Sequence, residues 1–188
     1  MTDSNGRPHD PSKRPKGPRP GGPKRRPGPR PGPAPSGPRP GTARQSPIGV
    51  RRVEGEPFFE LVHPPCVEET DLDYQEGLEI WEAGEPEEAR DALRFALEGC
   101  PDNLWVHVAL GDLAYKEFRD PKLAMGHYGY AFELAHRALP ADFAGKLPRD
   151  HAPNRPFHDA LLGLVSCLRA IGEEREADEL RKLLEKLR

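Results

Sequence analysis

The stretch Gly84 to Pro101, GEPEEARDALRFALEGCP, decides how this chain folds. Ala89, Leu93, Ala96 and Leu97 return to one side of a helix, because offsets of four, seven and eight share a face. The small residues Ala89 and Ala96 let a second helix come close. Gly84 allows a left-handed turn ahead of the helix, Pro86 suits its first turn, and Pro101 stops it. A helix built to pack so tightly needs neighbours of its own kind.

Those neighbours are present on both sides. Upstream, Thr70 or Asp71 is positioned to cap a helix carrying Tyr74, Leu78 and Trp81, completing a hairpin over residues 71–99. Downstream, Asp102 or Asn103 opens a helix bearing Trp105, Val108, Leu110, Leu113 and Ala114, with Gly111 at the expected close crossing. Asp120–Pro121 then repeats the cap-and-Pro start before Ala124, Tyr128, Ala131 and Phe132. These four match Ala89, Leu93, Ala96 and Leu97 at a separation of 35 residues. A third hairpin uses Leu161, Leu164, Val165 and Leu168, a turn at Gly172, and a last helix with Ala177, Leu180, Leu183, Leu184 and Leu187. The connection from Pro140 to Arg155 is longer than a repeat requires, which marks a functional or packing loop. The fold class is therefore all-α, as stacked antiparallel helix hairpins.

The beginning of the chain is different in kind. Residues 1–50 hold 14 Pro and 9 Gly, and no aromatic precedes Phe58. Such a segment buries too little apolar surface to offset its ordering entropy, so residues 1–52 are expected to be a disordered basic tail. The tail carries 13 Lys and Arg against 2 Asp, a net of +11, while the remainder of the chain carries −14. Residues 53–69 read as an extended strap. Its Phe58, Phe59, Leu61 and Val62 are expected to cover the first hairpin, or else to form a short strand pairing with another chain. Cys66, Cys100 and Cys167 are scattered and odd in number, which argues against a disulfide framework and for a reducing, cytoplasmic setting. No apolar run is long enough to span a bilayer.

From these residues the resemblance can be stated. Gly77, Gly84, Ala89, Ala96, Leu97 and Pro101, then Leu110, Gly111, Ala124, Tyr128 and Ala131, then Leu161, Leu164, Gly172 and Ala177, resemble the tetratricopeptide repeat pattern. The second set needs one extra residue near Phe118. The likeness covers residues 70–188, about three repeats, with Glu76 in an apolar slot and His136 in place of a closing Pro as departures. The stretch LPADFAGKLPRDHAPNRPFHDALLGL is also similar to the linker and helix of some bacterial repeat proteins. The resemblance implies a right-handed α-solenoid whose first helices line a concave groove. Carried over residue by residue, the groove holds Tyr74, Leu78 and Trp81 in unit one. Unit two adds Trp105, Val108, Asp112, Tyr115 and Lys116, and unit three adds Asp159, Leu162, Ser166 and Arg169. Helical spacing alone lets Trp81 and Trp105 serve equally as packing between helices. The carboxylate clamp of one subgroup is not expected, because the matching positions hold Tyr74, Leu78 and Asp159.

The implied function is a non-enzymatic scaffold that binds a peptide or helix in that groove. The alternative is a nucleic-acid- or ribosome-associated adaptor in which residues 7–52 make sequence-blind phosphate contacts. Runs such as RPKGPRP also resemble ligands of aromatic-lined modules. No Ser-His-Asp set, phosphate loop or His-Glu helix motif is present, so no catalytic residue, cofactor or metal is expected. His63 and Cys66 lack the further ligands a zinc site needs. His107 and His127 are expected to pack or face solvent.

Overall fold

The computed structural model describes residues 48–188. The expectation of disorder falls on residues 1–52, of which 1–47 lie outside the described residues. Within the described part there are two strands and seven α-helices. They run β1 (Gly49–Arg52), β2 (Phe59–Val62), α1 (Cys66–Glu69), α2 (Asp71–Glu82), α3 (Pro86–Gly99), α4 (Leu104–Lys116), α5 (Pro121–Ala138), α6 (Arg155–Ala170) and α7 (Glu174–Leu187). A 3-10 turn at Ala152–Asn154 precedes α6. The described residues are mostly helical, and no helix among them is long and apolar enough to cross a membrane.

Local chemistry sets the helix ends. Pro86 opens α3 after Gly84, which takes φ +86° as a left-handed turn residue. Asn103 caps α4, its Oδ1 accepting from the backbone N–H of Trp105 (3.1 Å) and Val106 (3.4 Å). Asp120 caps α5 by accepting from Leu123 N–H at 2.9 Å. The extra residue between α4 and α5 is absorbed at Arg119, which sits at φ +54°. Thr70 occupies the cap position of α2 but does not cap it, because its hydroxyl donates back to Cys66 O at 2.9 Å.

Helices pack in consecutive pairs, α2 on α3, α4 on α5 and α6 on α7, with α3 also on α4, α5 on α6 and α4 on α6. Small residues create the close approaches. A Cβ on Gly77 would lie 2.7 Å from the Leu93 side chain, and one on Gly111 would lie 2.7 Å from the Tyr128 ring. The same pairing of first-helix glycine with second-helix bulk thus occurs in both hairpins. Gly163 of α6 meets the Tyr128 ring from the other side, so this one ring is held between α4 and α6. Ala89, Leu93, Ala96, Ala124 and Ala131 are fully buried.

The structure departs from two expectations and bears on a third. First, Phe59, Leu61 and Val62 of the strap do not cover the first hairpin but lie in a strand paired within the chain. Gly49↔Val62, Val50↔Leu61, Arg51↔Glu60 and Arg52↔Phe59 form an antiparallel hairpin within the chain. Strand β1 therefore belongs to the ordered body, so the boundary at residue 52 is too late. The hairpin rests on the long connection. Phe59 N–H donates to Lys146 O at 2.8 Å, and buried Asn154 accepts from Leu61 N–H (2.9 Å) while donating to Phe59 O (3.0 Å) and Pro148 O (3.2 Å). Second, residues 140–155 form a packing platform, one of the two roles expected for this connection. Leu147 is buried, its N–H donates to Leu187 O at 2.7 Å, and its carbonyl accepts from His158. Third, Cys66 and Cys100 form a disulfide, leaving Cys167 as the free, buried thiol. The odd count was no guide, because the pair is brought together by α1 docking beside the end of α3.

Candidate functional site

The residues assigned to the groove divide into four sets. Tyr74 of α2 and Trp105 of α4 come together. With Val67, Asp71, Gln75 and Asn103 they line a cleft of about 260 Å³. Trp105 also packs against His63, with ring centroids 4.1 Å apart and planes tilted by 50°. Both rings line a second, adjoining cleft of about 450 Å³, whose walls also include Pro64, Pro65, Glu68 and Pro153. Val67 and Trp105 border both clefts and form the ridge between them.

Local bonding positions the ridge. Asn103 turns the chain into α4 and so presents Trp105 in the first helical turn. Neutral His63 carries its proton on Nε2, which donates to Pro153 O at 2.7 Å, and burial holds this imidazole below its ordinary pKa. The disulfide joins the residue before Val67 to the end of α3. The Tyr74 phenol is pushed up by burial and then by Asp71, Asp112 and Asp159. These carboxylates come from α2, α4 and α6, so Tyr74 faces an acidic surrounding.

Trp81 belongs to a second set at the other end of α4. Its indole N–H donates to Glu117 at 3.0 Å, and the Lys116 ammonium lies 5.6 Å from its ring centroid. Lys116 also pairs with Asp112 at 2.6 Å, and Asp112 accepts from the buried Tyr128 hydroxyl. Asp112 and Lys116 are therefore already partnered. The third set is Leu78, Val108 and Tyr115, half-buried side chains that lie against core residues, as Tyr74 and Trp81 also do. The fourth is remote. Arg169 reaches Glu174 and Asp178 across the α6–α7 turn, both at 3.5 Å, beside a separate cleft that Leu162 and Ser166 help to line. Asp159 pairs with Arg149 at 2.7 Å.

His107 and His127 form a pair that spacing did not reveal. His107 Nε2–H donates to Pro101 O at 2.9 Å, so its Nδ1 accepts from His127 Nδ1–H at 3.5 Å. Burial, then the neighbouring His107 and Arg94, push His127 down to about 4. Burial raises the Cys167 thiol to about 11, which leaves it protonated at neutral pH. Among the described residues, no three His, Cys, Asp or Glu side chains gather so as to hold a metal ion.

Sequence reasoning missed His63, Val67, Gln75 and Asn103 as partners of Tyr74 and Trp105. Asn103 had a local signal as a helix cap. His63 and Val67 had none, since their place depends on the disulfide and on the contact with Pro153. Comparison with protein families, with curated proteins and with solved structures returns no match.

Proposed function

We propose that this chain is a non-enzymatic interaction module, built as a tetratricopeptide-like stack of three hairpins that docks a peptide on the face bearing Tyr74 and Trp105. The observation that carries this reading is the aromatic cleft itself. Two half-buried rings from the first helices of successive hairpins converge at a concave, partly apolar surface. Rigid rings give contact area at small entropic cost, which suits recognition of an extended chain. The stack is supported by the repeated glycine contacts, Gly77 on Leu93 and Gly111 on Tyr128, one repeat apart. Asp71, Asp112 and Asp159, which all act on Tyr74, come from the first helices of the three hairpins.

Affinity purification of the full chain beside Trp105→Ala and Tyr74→Ala tests this. Partners lost in both variants support the face, and unchanged recovery moves the site elsewhere.

The charge division favours a second reading, in which the +11 N-terminal segment contacts nucleic acid or the ribosome. Arg51 adds little to it, because it is paired with Glu60 at 2.6 Å. The cytoplasmic expectation loses its cysteine argument, since a buried disulfide persists most readily in an oxidising compartment.

A further inference from the structure

The two clefts beside Trp105 differ from a generic apolar groove in three ways. They are paired across a narrow ridge made by Val67 and the Trp105 ring. Their walls are aromatic and prolyl, with Tyr74 and Trp105 on one side and Pro64 and Pro65 on the other. Their rims carry more acid than base, with Glu60, Glu68 and Asp71 against Arg51; Glu68 and Asp71 form no ion pair with any described residue, although Asp71 accepts from Gln75 at 3.4 Å. The third rim carboxylate, Glu60, is already held by Arg51 and His151.

Each feature restricts the ligand. An α-helix is roughly 10–12 Å across with its side chains, which suits one continuous trough better than two separate clefts that share Val67 and Trp105. Adding a β-strand needs a free sheet edge; the Tyr74–Trp105 cleft has no strand in its walls, and β2, which borders the second cleft, already bonds Lys146 and Asn154 along its outer edge. A polyproline-II chain fits better. It returns to the same face every three residues, about 9 Å along its axis, so successive rings drop into adjacent slots across a ridge. Its stiffness keeps the entropic cost of docking low. Glu68 and Asp71, outside any ion pair among the described residues, favour positive charge between the prolines. Arginine fits there twice over, pairing with carboxylate and stacking on an aromatic face.

We propose that the paired clefts on either side of Trp105 bind an arginine-bearing, proline-rich peptide of a partner protein in polyproline-II form. This rests on the docking face argued above and names the ligand it takes. Prolyl rings occupy the two clefts, and arginines meet Glu68 and Asp71. The disulfide keeps Val67 in the ridge, so the oxidised chain is the binding form.

The test is fluorescence anisotropy of a labelled synthetic peptide of repeated Pro-Pro-Arg units with the full, oxidised chain. Saturable binding is expected. It should weaken about tenfold or more for Trp105→Ala, in line with the loss of a central aromatic anchor. The same loss is expected when the peptide prolines become alanine at unchanged charge, and for Glu68→Lys with Asp71→Lys. Gln75 is exposed in the first cleft, so Gln75→Arg obstructs it without disturbing the core and stands in if Trp105→Ala unfolds. Equal binding of the proline-free peptide would reduce the effect to charge attraction and overturn the proposal. Binding that appears only after residues 1–47 are removed would give the clefts to the chain's own Pro- and Arg-rich segment, and would overturn assignment to a partner. Absence of peptide binding, with Trp105-dependent partner capture intact, would overturn the ligand class and leave the docking face. Loss of both would remove both.

Discussion

Reducing the Cys66–Cys100 disulfide should lower stability strongly, and the size of the effect follows from the chain. The two cysteines are 34 residues apart. Closing a loop of that length removes roughly 4 kcal/mol of conformational freedom from the unfolded chain. For a domain of this size, each kcal/mol moves Tm by about 3 °C, so full reduction should lower Tm by roughly 10–15 °C. Both sulfurs are buried, Cys66 at 1% and Cys100 at 0% exposure, so reductant must act during opening or under denaturant. The loss should be uneven. Helix α1 has only four residues and is tied to the end of α3 by this bond. Amide exchange at Glu69 and Thr70 should therefore rise more than in α4 or α6. The assay is thermal unfolding followed by circular dichroism, oxidised against fully reduced, with Cys66→Ala/Cys100→Ala as a reductant-insensitive control. Thiol titration in denaturant should find one free thiol before reduction and three after it. Three thiols at the outset, or an unchanged Tm after complete reduction, would refute the reasoning.

Other consequences are testable in the same way. Gly111→Ala drives a methyl to 2.7 Å from a Tyr128 ring already enclosed by Gly163, so it should cost about 1–3 kcal/mol by denaturant titration. Asn154→Ala leaves Leu61 N–H, Phe59 O and Pro148 O without their partner and should cost roughly 2–4 kcal/mol, with β1 and β2 losing exchange protection first. Stability should fall on acidification. His127 titrates near 4 when folded and 6.5 ordinarily, so between these values the unfolded chain binds the extra proton. His63, His107 and His158 are lowered by burial in the same direction. The carboxyl of Glu60, lowered by His151 and then Arg51, adds stability above its ordinary 4.5 that is lost below it. Tm scans from pH 7.5 to 5 should slope downward, and His127→Gln should flatten part of that slope. If the N-terminal segment grips nucleic acid, a gel-shift signal should vanish without residues 1–47 and fall steeply with salt.

What could be read early was local. Asn103, Asp120, Gly84, Pro86 and Gly172 each set a helix end through their own backbone or side-chain chemistry, and the pairing of helices follows from Ala89, Ala96 and Gly111. What could not be read depends on residues far apart. Strand β1 has four residues and no apolar alternation to announce it, and its partner lies beyond a turn. Asn154 bonds Leu61 across 93 positions, and His63 bonds Pro153 across 90. The candidate site shows the same division. Tyr74 and Trp105 follow from helical register. Their neighbours His63 and Val67 are delivered by the disulfide and the β-hairpin, which register does not reach. Repeat register places the other groove candidates apart from this cleft: Leu78, Val108 and Tyr115 are half-buried against core residues and Arg169 sits at the α6–α7 turn.

The two tryptophans allow a direct measurement. Their indole N–H resonances are followed by NMR while the Pro-Pro-Arg peptide is added to the full, oxidised chain. The Trp105 signal should shift and saturate, while that of Trp81, bonded to Glu117 at the far end of α4, stays in place. A Trp105 signal that does not move, or a shift confined to Trp81, would contradict the claim that this chain docks its partner at the Trp105 ridge.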